Sequence, residues 1–186
     1  PTLSDTQVNI MKISALVLAM AALPGVVFAA PTVTFQGEVT DQTCTVSING
    51  ETDGVVLLPT VSTAELAGGG DTAGLTPFTI TLTGCTAPAG SDLNVTTNFL
   101  GHDVTAGGNL GNSAAGGATN VAIQLTEEAA GTTPIVLNGI TAVDGLVVLE
   151  GETTASYEFG AQYISEAGSA TAGAVTAVVE YTISYL

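Results

Sequence analysis

The sequence predicts an all-β domain built as a Greek-key sandwich, and three observations lead to this prediction. The chain is rich in Thr, Val, Ala and Gly, with 23 Gly residues, a composition that favours short strands and tight turns over helices. Apolar and polar residues alternate in many short segments, as in half-buried strands. Turn residues separate these segments, without a long helix or a repeat of fixed period. The length of 186 residues suits a single such domain.

Two segments at the start of the chain are expected to be absent from the mature domain. Residues 11–29 have the pattern of a signal peptide, with Lys12 before a short apolar run and small residues at Val27 and Ala29. The apolar run is too short for a membrane span of about 20 residues. Residues 1–10 do not fit the start of a leader and are interpreted as an upstream extension. We therefore expect export, with Ala30 as the first mature residue.

The charge of the mature chain is almost entirely negative. Of the 17 Asp and Glu residues only Asp5 precedes residue 30, so 16 remain, and Lys12 is the only Lys or Arg in the sequence. Nucleic acids and anionic membrane surfaces bind cationic side chains, so the composition speaks against both as partners. Without cations, apolar burial, backbone hydrogen bonds and a covalent link must stabilise the fold.

The two cysteines, Cys44 and Cys85, are predicted to form a disulfide, since an exported protein folds in an oxidising compartment. Closing a loop of about 41 residues stabilises by about 4 kcal/mol in the chain-entropy model. A zinc site is disfavoured, because the single His and two Cys lack paired ligand spacing.

The first predicted strand of the mature chain covers residues 33–39. Val33, Phe35, Gly37 and Val39 share one face. The Gly on this apolar face indicates that a backbone or a bulky neighbour approaches closely there. A short helical turn is predicted at 62–66 and a long Gly/Ala/Asn-rich loop at 105–119. The remaining internal strands are predicted at 44–48, 55–58, 78–82, 93–99, 121–125, 135–137, 146–149 and 157–164.

The last predicted strand lies at the end of the sequence. From Val179 onward, Val179, Tyr181, Ile183 and Tyr185 share one face, and polar residues share the other. In an ordinary sandwich such a strand would have all its neighbours within the chain. If one neighbour is missing, its backbone N–H and C=O groups form a template for another chain.

No residue constellation indicates catalysis or a bound cofactor. His102 is the only His and stands beside Asp103 in a predicted turn, without a nucleophile-elbow sequence elsewhere. The acidic pair Glu127–Glu128 belongs to no Asp-x-Asp-x-Asp calcium loop. We therefore expect a non-enzymatic protein that binds no metal.

Several motifs together resemble the pilins of chaperone–usher fimbriae, most closely the major shaft subunit of type 1 fimbriae. A signal peptide precedes the alternating segment 33–39, which leads to the first Cys, and Gly173 is fourteenth from the end with Tyr185 penultimate. The other matching segments are Leu82–Cys85, Phe99–Gly101, Ala118–Val121 and Phe159–Tyr163.

The resemblance implies an incomplete immunoglobulin-like sandwich that lacks its seventh strand. Residues 30–43, here called the leading arm, would be the N-terminal donor-strand extension, and residues 44–186 the pilin domain. In this family a periplasmic chaperone first fills the gap beside the last strand. At the outer-membrane usher, the leading arm of another subunit then replaces it by donor-strand exchange. The product is a homopolymeric fimbria on the cell surface that serves adhesion.

Carried over to this sequence, the resemblance assigns roles to individual residues. Cys44 and Cys85 match the family disulfide. The donor face of the leading arm would consist of Val33, Phe35, Gly37 and Val39. The groove-edge strand, which would bind the chaperone and the incoming arm, would contain Gly173, Val175, Ala177, Val179, Tyr181, Ile183 and Tyr185.

Two alternatives remain at the level of the sequence. The leading arm is short and lacks a basic residue, so a minor or adaptor pilin of the same pathway is the first. The second is a secreted β-sandwich binding module that does not polymerise. A two-domain tip adhesin would need a longer chain.

Overall fold

The structure is a computed structural model, and it describes residues 37–185. The predicted upstream extension, the signal peptide and the donor-face residues Val33 and Phe35 lie outside the described residues. A compact unit begins at Glu38.

Apart from one short 3-10 helix, the regular secondary structure of the described chain consists of β-strands, which confirms the predicted fold class. A 3-10 helix, Thr63–Leu66, occurs where a helical turn was predicted, and Ser62 and Glu65 form its capping box. The strands are β1 (Thr45–Ile48), β2 (Asp71–Thr83), β3 (Leu93–Gly101), β4 (Leu110–Gly111), β5 (Ala122–Thr126), β6 (Pro134–Ile135), β7 (Ile140–Val148), β8 (Ala155–Ser165) and β9 (Val179–Ser184).

The strands form two antiparallel sheets of an immunoglobulin-like sandwich. The six-stranded sheet has the order β1-β2-β8-β5-β4, with β6 also paired to β5, and the three-stranded sheet has the order β7-β3-β9. Strands that are distant in sequence are therefore neighbours in both sheets. The last strand, β9, lies at an edge of the smaller sheet.

An aromatic cluster links the two sheets at the centre of the core. Phe159 of β8 stacks on Phe78 of β2, with ring centroids 5.6 Å apart. Phe99 of β3, in the other sheet, meets Phe159 edge-on at 5.3 Å, and Tyr157 does so at 4.9 Å. Burying a large apolar side chain contributes about 1.5–3 kcal/mol, so this cluster is a main source of stability.

The predicted disulfide between Cys44 and Cys85 is confirmed. Cys44 immediately precedes β1, and Cys85 follows the end of β2. The bond lies beside the first pair of the β1–β2 ladder, Thr45↔Thr83. It therefore links the start of the folded domain covalently to the chain just after the end of β2.

The structure corrects several predicted strand bounds. The predicted strand 55–58 is wrong, since this segment joins no ladder among the described residues. β2 and β7 begin earlier than predicted, at Asp71 and Ile140. In β2 the early part carries a register shift between Ala73 and Thr76, where Gly74 has a φ of +69°. The predicted loop 105–119 contains the two-residue strand β4.

Candidate functional site

The last strand has a ladder partner on one side. β9 pairs with β3 in a register that runs from Thr96↔Ser184 to Gly101↔Val179. On its other side, no strand of the described chain pairs with it. β9 is therefore an edge strand whose second side is open to a further strand.

The pairing register shows which backbone groups of β9 point to this open side. The His102 N–H donates to the Val178 carbonyl at 3.4 Å. In an antiparallel ladder the hydrogen-bonded pairs recur at every second residue, so the even-numbered residues of β9 point to β3. The backbone groups of Val179, Tyr181 and Ile183 then point to the open side, as a template for strand addition.

The side chains of the last segment alternate in burial over a longer stretch than β9 itself. Before β9, the chain is held against the loop after β4: Thr176 N–H donates to Asn112 Oδ1 at 2.9 Å, and Ser113 N–H donates to the Thr176 carbonyl at 2.8 Å. The alternation of half-buried and exposed residues begins at Val175. The half-buried residues that pack against the core are Val175, Ala177, Val179, Tyr181, Ile183 and Tyr185, here called the edge stripe.

A groove of about 660 Å³ lies beside the edge stripe. One rim is the segment from Val175 to Tyr181, and the other is Gly54–Leu58. The floor consists of apolar side chains from both sheets that are at most 8% exposed: Phe78, Phe99, Leu110, Ile123, Leu125 and Ala161. An incoming apolar side chain would therefore reach the core of the sandwich directly.

The second rim of the groove was not assigned to the site from the sequence. Val56 and Leu58 pack against the core, whereas Val55 and Leu57 are 75% and 83% exposed. Near this rim, the Tyr181 hydroxyl donates to the Thr52 carbonyl at 3.2 Å. The alternation that suggested a strand at 55–58 was the available signal for this rim.

Two tyrosines of the edge stripe have raised pKa values. Burial, and then the Asp53 carboxylate, raises the pKa of Tyr181. Burial, and then the Glu38 carboxylate, raises the pKa of Tyr185. The edge stripe is therefore apolar apart from the two neutral phenol hydroxyl groups.

The described part of the leading arm does not pack its predicted donor face into its own domain. Val39 is 102% exposed, and a Cβ placed on Gly37 would meet no atom within 4 Å. Gly37 to Val39 form no strand here, although one was predicted. Gly173 is exposed and precedes the edge stripe, where the backbone of Ala118 comes close to it.

Other candidate groups lie away from the groove or form no site. His102 Nε2 contacts Glu180 Oε1 at 2.9 Å, and both side chains are more than half exposed. Between residues 37 and 185, no three His, Cys, Asp or Glu side chains are grouped so that they could hold a metal ion. In the same range, the structure has no helix with the length and apolarity needed to cross a membrane.

Comparison with known proteins gives a consistent result. The family model described as "Fimbrial protein" matches residues 33–186. The F17 fimbrial protein of Escherichia coli is 44% identical over 160 residues, covering 82% of this chain and 86% of that protein. The major fimbrial subunit SMF-1 of Stenotrophomonas maltophilia is 40% identical over 173 residues, covering 89% and 99%. The solved structure of an antigen and type I fimbria protein from Burkholderia pseudomallei matches with a TM-score of 0.54 and 25% identity, over 77% of this chain and 100% of that one.

Proposed function

Since this chain belongs to the fimbrial protein family, and so is a non-enzymatic structural subunit of a surface fimbria, we propose that it polymerises by donor-strand exchange. In this proposal the leading arm, residues 30–43, enters the groove of another copy and pairs with β9. The observation that carries the proposal is the open side of β9 above an apolar floor. An added strand gains main-chain hydrogen bonds along the edge and side-chain contacts in the groove.

The donor face of the arm suits this groove. Val33, Phe35 and Val39 would each gain about 1.5–3 kcal/mol if fully buried on the floor. Gly37 would let the two backbones approach at a point where a side chain would obstruct them. Val39 is fully exposed in its own subunit, which leaves it free to be buried in another.

The contact would be head-to-tail, because the arm and the groove are different surfaces of one subunit. A heterologous contact that does not close on itself propagates as a filament. Negative charge on every mature subunit would discourage side-by-side association of free subunits, which favours addition through the groove.

We further propose that the subunit is exported through the signal peptide at residues 11–29 and handled by a periplasmic chaperone and an outer-membrane usher. An open, apolar strand edge is an aggregation hazard. A chaperone that pairs with β9 would cover this edge until the usher presents the arm of another subunit. The edge stripe would then bind the chaperone and the arm in turn.

Deleting residues 30–43 from the exported protein tests the proposed function. The expected result is a folded subunit that forms no fibres by electron microscopy but still binds a peptide with the sequence of residues 30–43. The matched control is the full-length mature protein, which should form fibres. Fibres from the deletion variant, or a folded deletion variant that does not bind the peptide, would overturn the proposal.

A further inference from the structure

The carboxylate of Glu38, in the leading arm, contacts the end of the edge strand of its own subunit. Its Oε2 accepts a hydrogen bond from the Ser184 hydroxyl at 2.6 Å. The Tyr185 N–H donates to both carboxylate oxygens, at 3.2 and 3.1 Å. Tyr185 is odd-numbered, so this N–H points to the open side of β9. The arm therefore occupies one backbone donor of the edge that an added strand would use.

A second contact anchors the arm closer to the disulfide. The Thr43 hydroxyl donates to the Gly84 carbonyl at 2.6 Å, next to Cys44 and Cys85. Val39 lies between the two anchors and is 102% exposed. The four residue-to-residue steps from Thr43 back to Val39 span at most about 13 Å when extended. While Glu38 is bound to its own β9, Val39 therefore remains beside its own domain.

We propose that Glu38 is a latch that holds the leading arm on its own subunit and must open before Val39 can enter the groove of another copy. This inference rests on the proposed function, because donation of the arm is the step that the latch controls. The two contacts of Glu38 cannot be kept when the chain on both sides of it lies in a neighbouring groove. Carboxylate hydrogen bonds are charge-assisted, which makes this one of the stronger polar contacts of the arm.

The latch also explains why an acid is placed next to the donor face. Glu38 is partly buried, whereas Gly37 and Val39 on either side of it are exposed, so its contact leaves these two donor-face residues uncovered. The latch thus restrains the described part of the arm without burying Gly37 or Val39.

The test compares Glu38→Ala and Glu38→Gln with Glu152→Ala, which removes one negative charge from an exposed side chain that has no hydrogen bond to residues 37–43. Hydrogen exchange of the Tyr185 amide reports the contact, and fibre growth by light scattering reports donation. In Glu38→Ala we expect Tyr185 to exchange at least about tenfold faster and fibres to grow about three- to tenfold faster. Glu38→Gln should lie between, and Glu152→Ala should match the wild type.

Unchanged exchange of the Tyr185 amide in Glu38→Ala would overturn the contact. Faster exchange without faster growth than Glu152→Ala would overturn the latch as a control on donation. If the wild-type protein forms no fibres, the proposed function fails and the role of the latch fails with it, while the Tyr185 amide still decides whether the contact exists.

Discussion

The three-stranded sheet has two edges, β7 and β9, that carry similar apolar residues but differ in how they are covered. On β7, Leu146 and Val148 are 1% and 0% exposed. On β9, Tyr181 and Ile183 remain half-buried. Both strands pair with β3, so the ladder itself does not cause the difference.

The edge at β7 also lacks a second ladder partner among the described residues, but it has features that protect natural sheet edges. β7 packs against β8 of the other sheet, where Gly145 lies against the ring of Tyr157. A register shift between Val95 and Thr97 bends the β3–β7 ladder, whereas the β3–β9 ladder has no such shift. From Val179 to Ile183, β9 has no comparable packing on its open side among the described residues. The comparison indicates that β7 is protected against strand addition, whereas β9 is suited to accept a strand.

The largest effect is expected from Gly37→Arg, which would block addition at β9 and leave the rest of the domain intact. The added side chain meets open space in the isolated subunit, so the free energy of unfolding should change by less than about 0.5 kcal/mol. In the groove the same side chain would obstruct the seam, and fibre growth should fall at least about 100-fold.

The matched control for Gly37→Arg is Thr40→Arg, which adds the same charge on the opposite side of the arm. This control should grow fibres at nearly the wild-type rate by light scattering. Normal fibres from Gly37→Arg would show that the donor face has been assigned to the wrong residues.

The next effect compares the two edges directly through Leu146→Ala and Ile183→Ala. Truncating the buried Leu146 should cost about 2–5 kcal/mol in denaturant unfolding. Truncating the half-buried Ile183 should cost only about 1 kcal/mol in the isolated subunit. It should also weaken binding of the residue 30–43 peptide about fivefold, an effect absent from any variant on β7 that still folds. Equal costs for the two truncations would mean that β9 is as closed as β7.

The smallest expected effect is a loss of folding stability at alkaline pH. Of the two edges, only β9 should contribute to it, since β7 contains no Tyr. The pKa values of Tyr181 and Tyr185 are raised above the ordinary 10.0 by burial and then by Asp53 and Glu38 respectively. Their contribution to stability is therefore complete below pH 10 and is lost as the pH rises through the raised values. Denaturant midpoints from pH 9 to 11 should fall more steeply in the wild type than in the Tyr181→Phe/Tyr185→Phe variant; parallel slopes would contradict this.

The edge stripe could be predicted from the sequence because side-chain direction in an extended chain is a local property. The alternation from Val179 to Tyr185 specifies one apolar face whatever the neighbours are. The same reasoning was wrong for residues 55–58, because alternation identifies faces and carries no information on ladder partners. The early parts of β2 and β7 were not predicted, because Gly74 and Gly145 interrupt the alternation of apolar and polar residues there.

Long-range contacts could not be predicted from the sequence for a different reason. Glu38 meets Ser184 and Tyr185 across 146 and 147 residues, and no local pattern marks a carboxylate as the partner of a distant edge. The disulfide was predictable despite its separation of 41 residues, because two cysteines in an exported chain leave one pairing. The proposed role of the groove as a strand-binding site came from the family resemblance. The periodicity of the sequence alone does not indicate this role.

The most direct test of the open edge is amide hydrogen exchange at Val179, Tyr181 and Ile183. It is measured in the variant that lacks residues 30–43, before and after addition of the residue 30–43 peptide. We predict fast exchange at all three amides in the free subunit and at least about 100-fold slower exchange when the peptide is bound. Slow exchange at these amides before the peptide is added would contradict the account, because it would mean that the chain already closes its own sandwich.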